Sequence, residues 1–139
     1  MKERFSKQVE YPDFPALDQD TIDQLYITLE LRHATDEQIY YDQANELANK
    51  IQAKILALHN LNLNQLDQAT TVLRKPNGEH LGHFEFNYSR DPFEKSITVS
   101  ATLNINGIEE EKWQYKSELK PSAEGRKKAS QAVNEEIAK

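Results

Sequence analysis

The sequence predicts an α+β protein: an antiparallel β-meander of about five strands, including an N-terminal strand, packed on one long α-helix, with a short C-terminal helix. Three observations predict it. Leu25, Ile27, Leu29 and Leu31 alternate with Tyr26, Thr28, Glu30 and Arg32, the period of two expected of a half-buried strand. Tyr40, Ala44, Leu47, Ala48, Ile51, Ile55 and Leu58 recur at spacings of three and four, which places them on one face of a helix. From Gly82 to Leu119 apolar residues alternate with polar ones between turn-forming segments. The expected element order is β-α-β-β-β-β-α.

Bulk properties narrow the class. At 139 residues, one domain buries roughly 68–70% of the surface its unfolded chain exposes. A hydrophobic content of 37% and a charged content of 29% fit a soluble globular protein. No apolar run approaches the ~20 residues of a membrane span, and residues 1–10 carry no signal-peptide core. The chain has no cysteine, which excludes thiolate chemistry and disulfides and fits a cytoplasmic location. A net charge of -6 disfavours strong sequence-independent binding to nucleic acid, whose affinity comes from neutralised phosphates. Membrane binding is not expected either.

Taken in order, residues 1–21 read as an extended arm. Pro12 and Pro15 favour extended neighbours, and Val9, Tyr11, Phe14 and Leu17 are spaced apolar residues that pin the arm to the domain or dock on a partner or a second copy. The domain proper is expected over 22–120. Thr35 and Gln38 have capping-box spacing, and Asp36 and Glu37 suit a helix N-terminus, so the long helix is expected to begin there and run to His59-Asn60. A short strand is expected over 70–75. Residues 121–139 read as a helix capped by Ser122, frayed or dependent on a partner. Its apolar stripe is thin, Gly125 costs ~1 kcal/mol relative to Ala, and its charges oppose the helix dipole.

Turn chemistry sets the expected register. Three-residue loops at Pro76-Asn77-Gly78 and Ile105-Asn106-Gly107 and a four-residue loop at 91–94 pair Val72 with Gly82, Tyr88 with Ile97, Val99 with Trp113 and Ile97 with Tyr115. All three turns agree on one apolar face: Val72, Phe84, Phe86, Tyr88, Ile97, Val99, Ala101, Leu103, Trp113 and Tyr115. The other face, with His83, Glu85, Thr98, Ser100, Thr102 and Lys116, reads as solvated.

No phosphate loop or nucleophile elbow is present, and no cofactor, metal site or catalytic constellation is expected. His80 and His83 are three apart, so a regular strand points them to opposite faces, where they cannot share an ion. Glu109, Glu110 and Glu111 beside the Asn106-Gly107 turn form an acidic hairpin tip. Such a tip opposes edge-to-edge pairing, or meets a basic partner through Glu109 and Glu111. Arg126, Lys127 and Lys128 are the one basic cluster. The segment from Gly125 to Lys139 resembles the last helix of double-stranded-RNA-binding domains, which opens on paired lysines and continues alanine-rich. That resemblance covers about a tenth of the chain and implies a nucleic-acid contact through those three residues.

The element order resembles, by topology, that of cystatin-like folds, where a curved sheet wraps one helix. The glutamine-valine-glycine type of motif used by inhibitory cystatins is not evident; the corresponding turn reads Arg74-Lys75-Pro76-Asn77-Gly78. The expected function is therefore a small non-enzymatic interaction protein of accessory, chaperone-like or inhibitor type, bound to a protein partner or to itself. One alternative is a nucleic-acid binder using Arg126, Lys127 and Lys128. Another is an enzyme or small-ligand carrier with a cavity lined by Tyr88, Trp113 and Tyr115.

Overall fold

The computed structural model describes residues 7–10, 15–107 and 111–139, with the backbone alone for 7–10. The segment with the cleanest alternation folds as a helix. α1 spans Gln19–Thr35 and is capped by Asp18, whose carboxylate accepts from the Thr21 N–H at 2.7 Å. Leu25, Leu29 and Leu31 are buried, and so are Tyr26 and Thr28 between them. A helix enclosed on most of its circumference is apolar nearly all round, and over eight residues that pattern is indistinguishable from alternation. The expected strand is thus corrected to a helix. The Ile22-Leu25-Tyr26-Leu29 spacing carried the helical signal.

α2, Gln38–Ala57, is the expected long helix, with Ala44, Ala48, Ile51 and Ile55 buried. Its start is not the expected capping box. Thr35 closes α1, Asp36 turns left-handed at φ 56, and the N-cap of α2 is Glu37, which makes no side-chain cap. Leu56 is fully buried, whereas Leu58 is 54% exposed.

Among the described residues the sheet has six strands, in the order β1-β6-β5-β4-β3-β2. They are β1 (Lys7–Glu10), β2 (Leu66–Asp67), β3 (Val72–Arg74), β4 (His80–Asp91), β5 (Ser96–Ile105) and β6 (Glu111–Leu119). β2 to β6 are antiparallel, while β1 lies parallel to β6. A strand therefore lies within the N-terminal arm. α3, Ala123–Ile137, follows the sheet. A core of Leu25, Leu29, Ile51, Ile55, Leu73, Phe84, Ile97, Val99, Leu103 and Ala129 joins all three helices to one sheet face. Strands β3 to β6 form the expected antiparallel meander, but the strand expected before the long helix is a helix, and among the described residues three helices cover the sheet rather than one.

Registers differ from expectation in an instructive way. Tyr88 pairs with Val99 rather than Ile97, around a loop at 92–95. Trp113 pairs with Leu103 and Tyr115 with Ala101 rather than with Val99 and Ile97. Those slips of two and four residues preserve face, so the expected apolar side is the observed one. Between β3 and β4 the slip is one. Leu73 lies opposite Gly82 and Arg74 opposite His80, which leaves Leu81 without a β3 partner as a bulge. Leu73 is consequently buried, and Val72, expected in the core, is half-exposed.

Candidate functional site

Long β4 has an outer edge that short β3 covers only in part. The Asn106 N–H donates to the Leu81 carbonyl at 2.9 Å, so odd-numbered residues of β4 turn their backbone groups toward β5. The Phe84 N–H donates outward to the Thr71 carbonyl at 2.9 Å. By strand alternation, Phe86 and Tyr88 also turn their N–H and C=O outward. The β3 ladder stops at His83, and among the described residues no other strand pairs with this edge. Unpaired backbone groups in a row form a template for another strand.

Beside that edge, between β4 and α2, lies a cleft of about 260 Å³ lined by Asn45, Ala48, Asn49, Gln52, Leu66, Gln68, Thr71, Phe84, Phe86 and Tyr88. Its floor is an aromatic ladder. The Phe84 and Phe86 rings are 6.5 Å apart and inclined by 17°, and Phe86 and Tyr88 are 5.9 Å apart. Its wall is a carboxamide stripe, because Asn45, Asn49 and Gln52 share one face of α2. Tyr88 Oη donates to Asn45 Oδ1 at 2.7 Å, and Asn49 Oδ1 accepts from Gln52 Nε2 at 3.0 Å and Gln68 Nε2 at 3.1 Å. No charged side chain lines the cleft. Such a lining suits neutral groups with amide-like hydrogen bonding and some apolar surface.

The residues singled out from sequence do not gather here. Leu17 is half-buried against the core. Tyr11, Phe14 and Glu109 lie outside the described residues. Glu111 is half-buried in the β6 ladder opposite Ile105 and Lys7. Arg126 is half-buried, whereas Lys127 and Lys128 are exposed; successive helical positions are about 100° apart, so the three do not share one face. Of the aromatic trio expected around a cavity, only Tyr88 lines this cleft. Trp113 and Tyr115 pack around His59, which follows α2. The His59 and Trp113 rings are 4.6 Å apart, and His59 Nε2 is hydrogen-bonded to Tyr115 Oη. Burial lowers the His59 pKa against an opposing pull from Glu111, and burial raises that of Tyr115.

His80 and His83 correct a second expectation. The Leu81 bulge resets the strand parity, and the two rings meet with their Nε2 atoms 3.3 Å apart. Among the described residues no group of three or more His, Asp or Glu side chains is placed to hold a metal ion. No described helix is long and apolar enough to cross a membrane. Compared with known proteins, the chain matches no family model, no curated protein and no solved structure.

Of the cleft residues, the sequence pattern marks Phe84 and Phe86 as core and Tyr88 as both core and cavity-lining. The missed signal was Asn45-Asn49-Gln52, spaced i, i+4, i+7 on an otherwise legible helix.

Proposed function

We propose that this protein is a small non-enzymatic interaction module that captures an extended polypeptide segment of a partner as an added strand along the open half of β4. The observation that supports this most is the outward row of backbone groups at Phe86 and Tyr88 beside a neutral, aromatic-floored cleft. Main-chain hydrogen bonds supply affinity in such strand addition, and pockets for alternate side chains supply selectivity. Side chains of the added strand lie about 6–7 Å apart on each face, so one apolar or amide-bearing side chain enters the cleft. The cleft's 260 Å³ falls below the ~300–1,000 Å³ usual for small-molecule pockets, which favours a side chain over a free ligand. The dispersed faces of Arg126, Lys127 and Lys128 favour a protein over a nucleic acid. The antiparallel meander adds no more than an analogy of fold with cystatin-like proteins.

A photo-crosslinking residue at Gln68, compared with one at Lys116 on the opposite sheet face, tests the reading in a native lysate. The expected result is a crosslink from position 68 to one extended segment. A synthetic peptide of that segment then binds the wild-type protein and binds Tyr88→Pro at least about tenfold more weakly. Proline removes the outward N–H, and Tyr88→Phe keeps it. Equal crosslinking from both positions, or equal peptide affinity for the proline and phenylalanine variants, refutes the assignment.

A further inference from the structure

We propose that His80 and His83 form a site for one divalent transition-metal ion of the zinc class, independent of the β4 edge. Two nitrogens bound to a tetrahedral zinc at about 2.0–2.1 Å lie roughly 3.3–3.4 Å from each other. The two Nε2 atoms stand 3.3 Å apart, so the pair meets the spacing of one tetrahedral edge as it stands. Both residues are exposed at the start of β4, where an ion reaches them from solvent. The convergence comes from backbone architecture, since the Leu81 bulge places both rings on the same side.

Behind one ring there is an orienting partner. The Asn106 side-chain nitrogen lies 3.2 Å from His80 Nδ1. As placed, Asn106 Nδ2–H donates to Nδ1, and His80 Nε2–H donates to the Nε2 lone pair of His83. Turning the Asn106 carboxamide over presents Oδ1 to a proton on Nδ1, which frees the Nε2 lone pair for a metal. Metal-bound histidines usually hold their second nitrogen through such an acceptor. Glu85 lies two residues from His83 on the same strand, while the Glu79 carboxylate is engaged by Asn77 and Lys75, and among the described residues no third ligand joins the pair. Water fills the remaining positions, as two histidines leave half of a tetrahedron open.

Titration of tag-free protein with zinc chloride, read by calorimetry and by the imidazole nitrogen resonances, tests the assignment. Wild-type protein binds one zinc per chain, and only the Nε2 signals of His80 and His83 move. His80→Gln and His83→Gln each weaken binding by about tenfold or more, while His33→Gln leaves it unchanged. A wild-type isotherm without saturable binding overturns the proposal. So does zinc binding that neither Gln variant weakens, or a resonance shift confined to one of the two rings. The resonances are read on the wild-type chain, so the test stands even if a variant folds poorly.

Discussion

The central helix α1 has two unlike neighbours. On one side α3 is sewn to it without slack; beyond α2, the boundary of the helical layer with β4 is left partly open. At the α3 seam, Asp23 accepts from the Ser122 N–H at 2.8 Å and from its hydroxyl at 2.6 Å, and the same hydroxyl accepts from the Gly125 N–H at 3.0 Å. One carboxylate of α1 thus anchors the N-cap of α3 and places a negative charge at the positive end of that helix. The helices approach so closely that a Cβ at Gly125 falls 2.5 Å from Asp23 Cγ. Every polar group named at that seam has an internal partner. At the cleft, aromatic rings and carboxamides line open volume, and the adjoining stretch of β4 has no pairing strand among the described residues. The seam holds α1 and α3 together, and the cleft is the face proposed above to receive another chain.

The largest expected effect lies in the seam. Intrinsic helix propensity favours alanine over glycine by about 1 kcal/mol, so Gly125→Ala stabilises a loosely packed α3. Instead it is expected to destabilise by about 1–3 kcal/mol, because Asp23 must be displaced; urea denaturation reads the sign directly. Asp23→Ala comes next, at about 1–2 kcal/mol near neutral pH, for a lost cap and charge-assisted bonds at a half-exposed site. Burial raises the Asp23 pKa, but the bonds from Ser122 and Gln19 outweigh it and hold it below 3.8. Its contribution is therefore complete above pH 3.8 and lost as pH falls through the lower folded value. The acid limb of a stability–pH curve should flatten in Asp23→Ala, and an unchanged limb removes this account.

Smaller effects belong to the cleft and its surroundings. Tyr88→Phe, which deletes the bond to Asn45, is expected to cost about 0.5–1 kcal/mol in thermal or urea unfolding. A loss as large as that of Gly125→Ala means the cleft is part of the structural core. The smallest expected change concerns His59. Its pKa is lowered from 6.5 by burial, so the stability it lends is complete above that value and falls as pH drops toward the folded pKa. The fluorescence of the single tryptophan, Trp113, should report protonation there, and His59→Gln should abolish that pH dependence.

Parity explains how much of this was legible beforehand. Tyr88 and Trp113 each pair with another residue than expected, yet both remain on the expected face, because turn residues constrain parity more firmly than they fix loop length. A one-residue slip is another matter. Leu81 carries no mark of a bulge in its side chain, and a regular strand there would exchange Val72 for Leu73 and set His80 and His83 on opposite faces. α1 was illegible for a different reason: an eight-residue window on an enclosed helix satisfies a period of two as well as one of 3.6. The carboxamides of α2 were visible as polar residues, but that a cleft adjoins them depends on how short β3 is, which no local pattern states.

The anchoring of α3 also has a consequence in time. Ser122 and Asp23 are 99 residues apart, and the pairing of β1 with β6 joins Lys7 to Glu111. The meander forms through near neighbours, whereas both long-range closures wait for distant segments to meet, and contacts of that kind slow folding. During synthesis α1 emerges about a hundred residues before α3, so the surface α3 covers stays open until residues 123–137 have been made. A truncation after Leu119 leaves that surface of α1 permanently uncovered.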